Sequence, residues 1–172
     1  MGTSESNLTF LCDAMCGGLA RWLRAIGYDA AFHPDLDDAE LVQLAHRQGR
    51  VLISSDGKLF ERRAITERRV RALQLPRGLK RIDQIRFVVR ALGLTVRDPR
   101  CMKCNGRLIA ASREEVADVV PARSLVWADA FFRCDSCHRV FWNGTHWKKI
   151  TARRAELALL ASDPPAPPGP QP

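Results

Sequence analysis

Two Cys-x-x-Cys pairs, Cys101/Cys104 and Cys134/Cys137, with 29 residues between Cys104 and Cys134, constrain this chain more than any other feature. In each pair a tight turn aims two thiolates at one point, and two such turns complete a tetrahedron around a borderline-soft cation. The spacing predicts a structural zinc site of the ribbon type, with four protein ligands and no position left for a substrate water. A thioredoxin-like redox motif needs one pair rather than two, and disulfides are disfavoured in a reducing compartment. Zinc binding is worth roughly 10–16 kcal/mol in comparable peptides at neutral pH, and here it would largely be folding energy. Cys12 and Cys16 stand apart, at the first strand–helix junction, and read as half-buried free thiols.

Upstream of the cysteines the pattern alternates between strand and helix. Residues 8–12 form a short apolar run, followed by a helical stripe of Leu19, Leu23 and Ile26 that Gly27 ends. A second strand is expected at 28–32, and a helix runs from Asp37-Asp38-Ala39-Glu40 to about Gln48, closed by Gly49. Val51–Ser54 reads as a buried strand. A short helix at 58–64, a strand at 70–73 and a helix at 79–92 complete a series that predicts an α/β fold, a parallel sheet with helices on both faces. Arg97-Asp98-Pro99 marks a boundary. Beyond it we expect a helix at 113–119, short strands within 124–133 and at Val140–Trp142, and a helix at 151–161. The domain reading is thus an α/β unit at 1–98, a zinc ribbon at 99–150, a closing helix at 151–162 and a mobile proline-rich tail at 163–172.

Three acids fall at informative places. Asp13 follows the first strand, Asp56 follows Val51–Ser54, and Asp38 begins the second helix. In a parallel sheet the carboxyl ends of the strands open onto one ligand-binding edge. Carboxylates gathered there repel one another unless a divalent cation neutralises them, and an all-oxygen ligand set suits Mg²⁺ or Mn²⁺. Such ions support phosphodiester hydrolysis. Each acid also has a plainer use: Asp13 can cap the next helix, Asp37 with Glu40 has capping-box spacing, and Asp56-Gly57 is a turn dipeptide.

The runs Phe10-Leu-Cys-Asp13, Gly18-Leu-Ala-Arg-Trp-Leu-Arg-Ala-Ile-Gly-Tyr-Asp29, Asp38-Ala-Glu-Leu41 and Val51-Leu-Ile-Ser-Ser-Asp56, with the cysteine pairs and Val140-Phe-Trp-Asn-Gly-Thr-His146, resemble the Mut-seven C-terminal RNase-domain family over about residues 9–150. The resemblance implies a PIN-like nuclease fold fused to a zinc ribbon, ribonuclease activity on RNA, and Asp13, Asp38 and Asp56 as the Mg²⁺ or Mn²⁺ ligands. The family usually shows Thr-Arg-Asp at the third acid; here Ser54-Ser55-Asp56 keeps a hydroxyl for substrate contact and loses the arginine. Asp83 is the nearest candidate for a fourth acid, though it suits an exposed helix face. Arg21 and Arg24, at i and i+3, could hold phosphates, and His146 beside Trp142 and Trp147 could meet a base or brace the ribbon.

Net charge is +8, split as 16 Lys/Arg against 12 Asp/Glu in residues 1–98 and 11 against 7 in 99–172, a balance that favours a polyanionic partner. The densest basic stretch is Arg62-Arg63, Arg68, Arg69 and Arg71, which equally fits a solvated face. No apolar run approaches the roughly 20 residues that span a bilayer, and Met1 to Asn7 has no signal-peptide centre, so a cytoplasmic protein is expected. Two other functions fit the same residues: a non-catalytic RNA- or protein-binding module, and a receiver-like domain with Asp56 as phosphoacceptor.

Overall fold

The computed structural model describes residues 8–161. The first half is built from strands β1 (Thr9–Cys12), β2 (Asp29–Phe32), β3 (Val51–Ser54) and β4 (Ala72–Gln74), which pair in parallel in the order β2-β1-β3-β4. Helices α1 (Gly17–Ala25), α2 (Asp38–Gln48), α3 (Gly57–Phe60), α4 (Arg63–Thr66) and α5 (Arg81–Leu92) connect or follow them. The α/β expectation holds. The stretch expected as one helix at 58–64 is two single turns, because Arg62 takes an extended backbone (ψ 133°) between them.

Both faces of the sheet are covered, so its central strands β1 and β3 are mostly apolar rather than alternating. Phe10, Cys12, Val51 and Ile53 point to one side, where they pack on Leu19 and Leu23 of α1 and on Ile85, Val88 and Val89 of α5. Leu11 and Leu52 point to the other side, against Leu41, Val42 and Ala45 of α2 and Leu59 of α3. This is the period-two alternation of a strand sandwiched between two helical layers.

The second half contains an antiparallel sheet of β5 (Leu108–Ala111), β6 (Phe131–Cys134) and β7 (Val140–Trp142), plus helices α6 (Ala122–Trp127) and α7 (Thr145–Ala161). Strand β5 was not anticipated. Of the strands expected within 124–133, only β6 forms; residues 122–127 are helical instead, with Pro121 supplying the entry and Ser124 and Leu125 amides bonded to its carbonyl. The helix expected at 113–119 shortens to one 3-10 turn, Glu114–Val116. A small core of Val116, Val120, Ala128, Phe131 and Val140 supports this sheet.

Helix α7 starts six residues earlier than expected and returns to the first unit. Leu157 is fully buried in the core beneath α1 and α5, and Glu156 accepts hydrogen bonds from Arg86, which also pairs with Asp83 at 2.9 Å. The boundary at Arg97-Asp98-Pro99 is anchored: the Arg97 amide donates to Ile26, the Arg100 amide donates to Arg24, and the Arg97 guanidinium lies 4.5 Å over the Tyr28 ring. No helix among the described residues is long and apolar enough to cross a membrane. The proline-rich tail at 163–172 and residues 1–7 lie outside the described residues.

Candidate functional sites: an acidic crevice and a four-cysteine centre

In the order β2-β1-β3-β4 the chain leaves β1 toward one side of the sheet and β3 toward the other. The crevice between the carboxyl ends of these two strands is the topological switch point, where open α/β sheets bind ligands. Asp13 follows β1 and Asp56 follows β3, so the two acids flank it. Ser54 joins them: its hydroxyl donates to Asp13 Oδ2 at 2.6 Å and accepts from the Asp56 amide at 2.9 Å. Asp13 is 8% exposed and has no cationic partner among the described residues. A buried carboxylate ordinarily needs such a partner.

Asp38 reaches the same edge of the sheet from the first turn of α2. The capping box there is made by Asp37 and Glu40, so Asp38 is left over from it and faces Arg62 at 3.5 Å. Asp13 and Asp56 do cap: Asp13 accepts from Ala14, and Asp56 accepts from Lys58 at 3.1 Å. Among the described residues the three acids do not converge into one ligand shell; the four cysteines alone do so. Asp83, the fourth acid considered, is occupied with Arg86.

Other residues move from their expected roles. Ser54 has no exposed surface, and its hydroxyl is engaged by Asp13 and by the Asp56 amide. Arg24 is buried, not on a phosphate-facing surface. Its Nε donates to the Ala30 carbonyl at 2.8 Å and its Nη1 to Met102 and Lys103 at 3.2 and 3.1 Å, and burial pulls its pKa below the usual arginine value. Arg21 remains exposed. In the basic stretch, Arg62, Arg63 and Arg69 all face carboxylates, which describes a solvated ion-paired surface. The His146 side chain lies outside the described residues.

Two cations, one beside Gly18 and one beside Gly57, carried no sequence signal. Arg81 lays its stem across Gly18, where a β-carbon would stand 2.9 Å from its Cδ, and Arg77 Nη2 would lie 3.8 Å from a β-carbon on Gly57, next to Asp56. Neither sits in a motif; the fold of the β4–α5 connection brings them in. Cys16 is buried beside the same acids. Burial first, then the Asp13 carboxylate, push its thiol up to about 11, and burial raises Cys12 further. Both are inert packing thiols.

The cysteine centre is made by two matching turns. The Asn105 amide donates to Cys101 and the His138 amide to Cys134, at 2.8 and 3.1 Å, and both residues following the second cysteine are left-handed, at φ 75° and 57°. Gly106 lets the turns meet: a β-carbon there would lie 2.7 Å from Cys134 Sγ and 2.6 Å from Asp135 Oδ1. The four sulfurs lie within 4.8 Å of one another, with Cys101–Cys137 at 3.7 Å and Cys104–Cys134 at 3.4 Å. Tetrahedral thiolates about 2.3 Å from a zinc ion stand about 3.8 Å apart, so the cage fits such an ion.

A family model described as Mut7-C RNAse domain matches residues 8–154, which takes in the acidic crevice, the cysteine cage and most of α7. The chain belongs to this family. Searches of curated proteins and of solved structures returned no significant match. Membership in the Mut7-C RNAse domain family points to a nuclease-like function, with RNA as the implied substrate. It also explains why both units occur together, since the family match runs unbroken across the boundary at residue 98.

Proposed function

We propose that this protein is a divalent-metal-dependent ribonuclease, with its chemistry in the crevice between β1 and β3 and a structural zinc in the cysteine cage. The observation that carries the reading is the Asp13 carboxylate, buried at a sheet switch point with no cationic partner among the described residues and tied through Ser54 to Asp56. Asp13, Asp38 and Asp56 would hold Mg²⁺ or Mn²⁺, whose oxygen preference matches this ligand chemistry. A divalent ion there supplies positive charge for the attacking and leaving oxygens of an RNA phosphodiester. Ser54 orients Asp13, while Arg77 and Arg81 offer guanidinium groups to the substrate phosphates. Residues 8–98 and α7 would make the nuclease unit, and residues 99–144 the ribbon.

A second reading, an RNA-binding module without catalysis, has one observation in its favour: Asp56 and Asp13 both serve as caps, and Asp38 faces Arg62. The two differ in sign for one variant. Asn caps about as well as Asp but lacks the charge that holds a divalent ion. Asp56→Asn should therefore stay folded and lose Mn²⁺-dependent cleavage of mixed RNA substrates. Wild-type cleavage rates in folded Asp56→Asn would overturn the catalytic assignment.

A further inference from the structure

A second concavity lies away from the acids, where the ribbon meets α1 and α7. It measures ≈ 670 Å³, within the range of about 300–1,000 Å³ typical of ligand sites. Its walls include Trp127, Trp142 and Trp147, and its charged lining is Arg21, Lys103 and Arg139, with no acidic residue among the lining side chains. The chain has four tryptophans in all, so three of them converge on one cleft. None of the three cations has a carboxylate within ion-pair distance among the described residues.

The indoles are held in place. Gly144 lies under two of them: a β-carbon there would stand 3.1 Å from Trp142 Nε1 and 3.3 Å from Trp127 Cη2. Trp147 is stacked on Phe132, with centroids 6.1 Å apart and planes inclined by 18°, so its orientation is set from behind. Trp127 stays 47% exposed, so part of its ring is open to solvent.

We infer that this cleft binds single-stranded RNA, with bases stacked on Trp127 and its neighbours and the backbone phosphates met by Arg21, Lys103 and Arg139. The chemistry selects the ligand. Fixed aromatic faces suit unpaired bases, whose π-faces are exposed, whereas in a duplex they are buried in the stack. Unopposed cations suit a polyanion. The placement suits a substrate-feeding role: α1 runs from the acidic crevice toward the ribbon, is about 14 Å long, and carries Arg21 partway along. This inference rests on reading the chain as acting on RNA, and it adds where the strand is held and in which form.

The test is fluorescence anisotropy of a labelled ten-nucleotide single-stranded RNA with the full zinc-loaded chain and no added Mg²⁺ or Mn²⁺, so that cleavage does not enter. Wild type should bind, quench tryptophan emission, and prefer the single strand to a duplex of equal length by tenfold or more. Trp127→Ala should weaken binding about tenfold and Trp127→Phe much less. Arg139→Gln should weaken it and flatten its salt dependence. Trp127 is the ring of choice because its exposure makes misfolding of the variant improbable, and retained zinc content checks this. Equal affinity of wild type and Trp127→Ala overturns the proposal, as does equal affinity for single strand and duplex. Quenching by an acidic peptide but not by the RNA would also overturn it, in favour of a protein partner. Cleavage without Trp127-dependent binding removes the cleft alone, while binding without cleavage removes the nuclease reading and leaves the cleft.

Discussion

Ser54 shows how one side chain can make a site out of two distant stretches of sequence. It ends β3 fully buried, and its hydroxyl is both donor to Asp13 and acceptor for the Asp56 amide. Removing the hydroxyl leaves the buried Asp13 carboxylate without that donor, and an unsatisfied buried group costs about 1–3 kcal/mol. Ser54→Ala should therefore lower the urea midpoint by an amount corresponding to about 1–3 kcal/mol and also reduce cleavage. A double-mutant cycle with Asp13→Asn separates the two effects, because the coupling of the pair appears as non-additivity. Strictly additive losses would mean that the hydroxyl does not act through Asp13. The family resemblance offered this serine as a substrate contact, and the strand that carries it was already legible as buried; its two hydrogen-bond partners, 41 and 2 residues away, were not.

At the scale of elements, the seam between the sheet and the ribbon depends on a few polar groups. Asn105, the left-handed residue after the first cysteine pair, accepts from the Ala30 amide at 3.1 Å and donates to Asp29 at 2.9 Å. Arg50, entering β3, pairs with the same Asp29 carboxylate at 2.5 Å. Burial alone would raise the pKa of Asp29, but the hydrogen bonds from Arg50 and Asn105 outweigh it and hold the carboxyl below the ordinary aspartate value. A depressed carboxyl contributes stability that is complete above its unfolded pKa, about 3.9, and is lost as pH falls through the folded value. Urea midpoints measured from pH 5 downward should fall more steeply for wild type than for Asp29→Asn. Parallel curves would assign the acid limb to other carboxylates. Arg24 makes a second tie across this seam through the Met102 and Lys103 carbonyls, which only a forked guanidinium meets together with Ala30.

For the whole molecule, the cysteine cage governs a unit whose own apolar core is small. Purified protein should carry about one zinc per chain by elemental analysis, and Cys134→Ser with Cys137→Ser should release it. Because metal binding is folding energy for such a unit, the thermal midpoint should drop in that variant and protease sensitivity should rise within residues 99–144. The α/β unit should keep most of its helical circular dichroism, since its two cores draw on the ribbon for no residue between Arg97 and Gly144. Full zinc retention in the double variant would refute the four-thiolate assignment. Cys12→Ser should leave zinc untouched, as that thiol is buried under α1, away from the cage.

Much of this was legible along the chain for local reasons. Four cysteines in two tight turns, the apolar runs that become β1, β2 and β3, and Gly49 and Gly27 closing helices are set by short-range sterics and ligand chemistry, and these reappear in place. The acids at the ends of β1 and β3 were readable because strand ends in a parallel sheet share one edge. What stayed hidden depends on contacts between residues far apart in sequence. Strand β5 forms because β6 offers it a partner, and Leu-Ile-Ala-Ala has no strong alternation of its own. Arg24 and Arg21 differ by three positions, yet one is buried in carbonyls contributed by the ribbon and the other borders a cleft. Arg77, Arg81 and Trp127 acquire their places when separate segments pack. Sequence patterns report which residues could face a core or a ligand. Which of them do so depends on packing between distant segments, because burial and charge pairing are properties of the neighbours a residue acquires in the folded state.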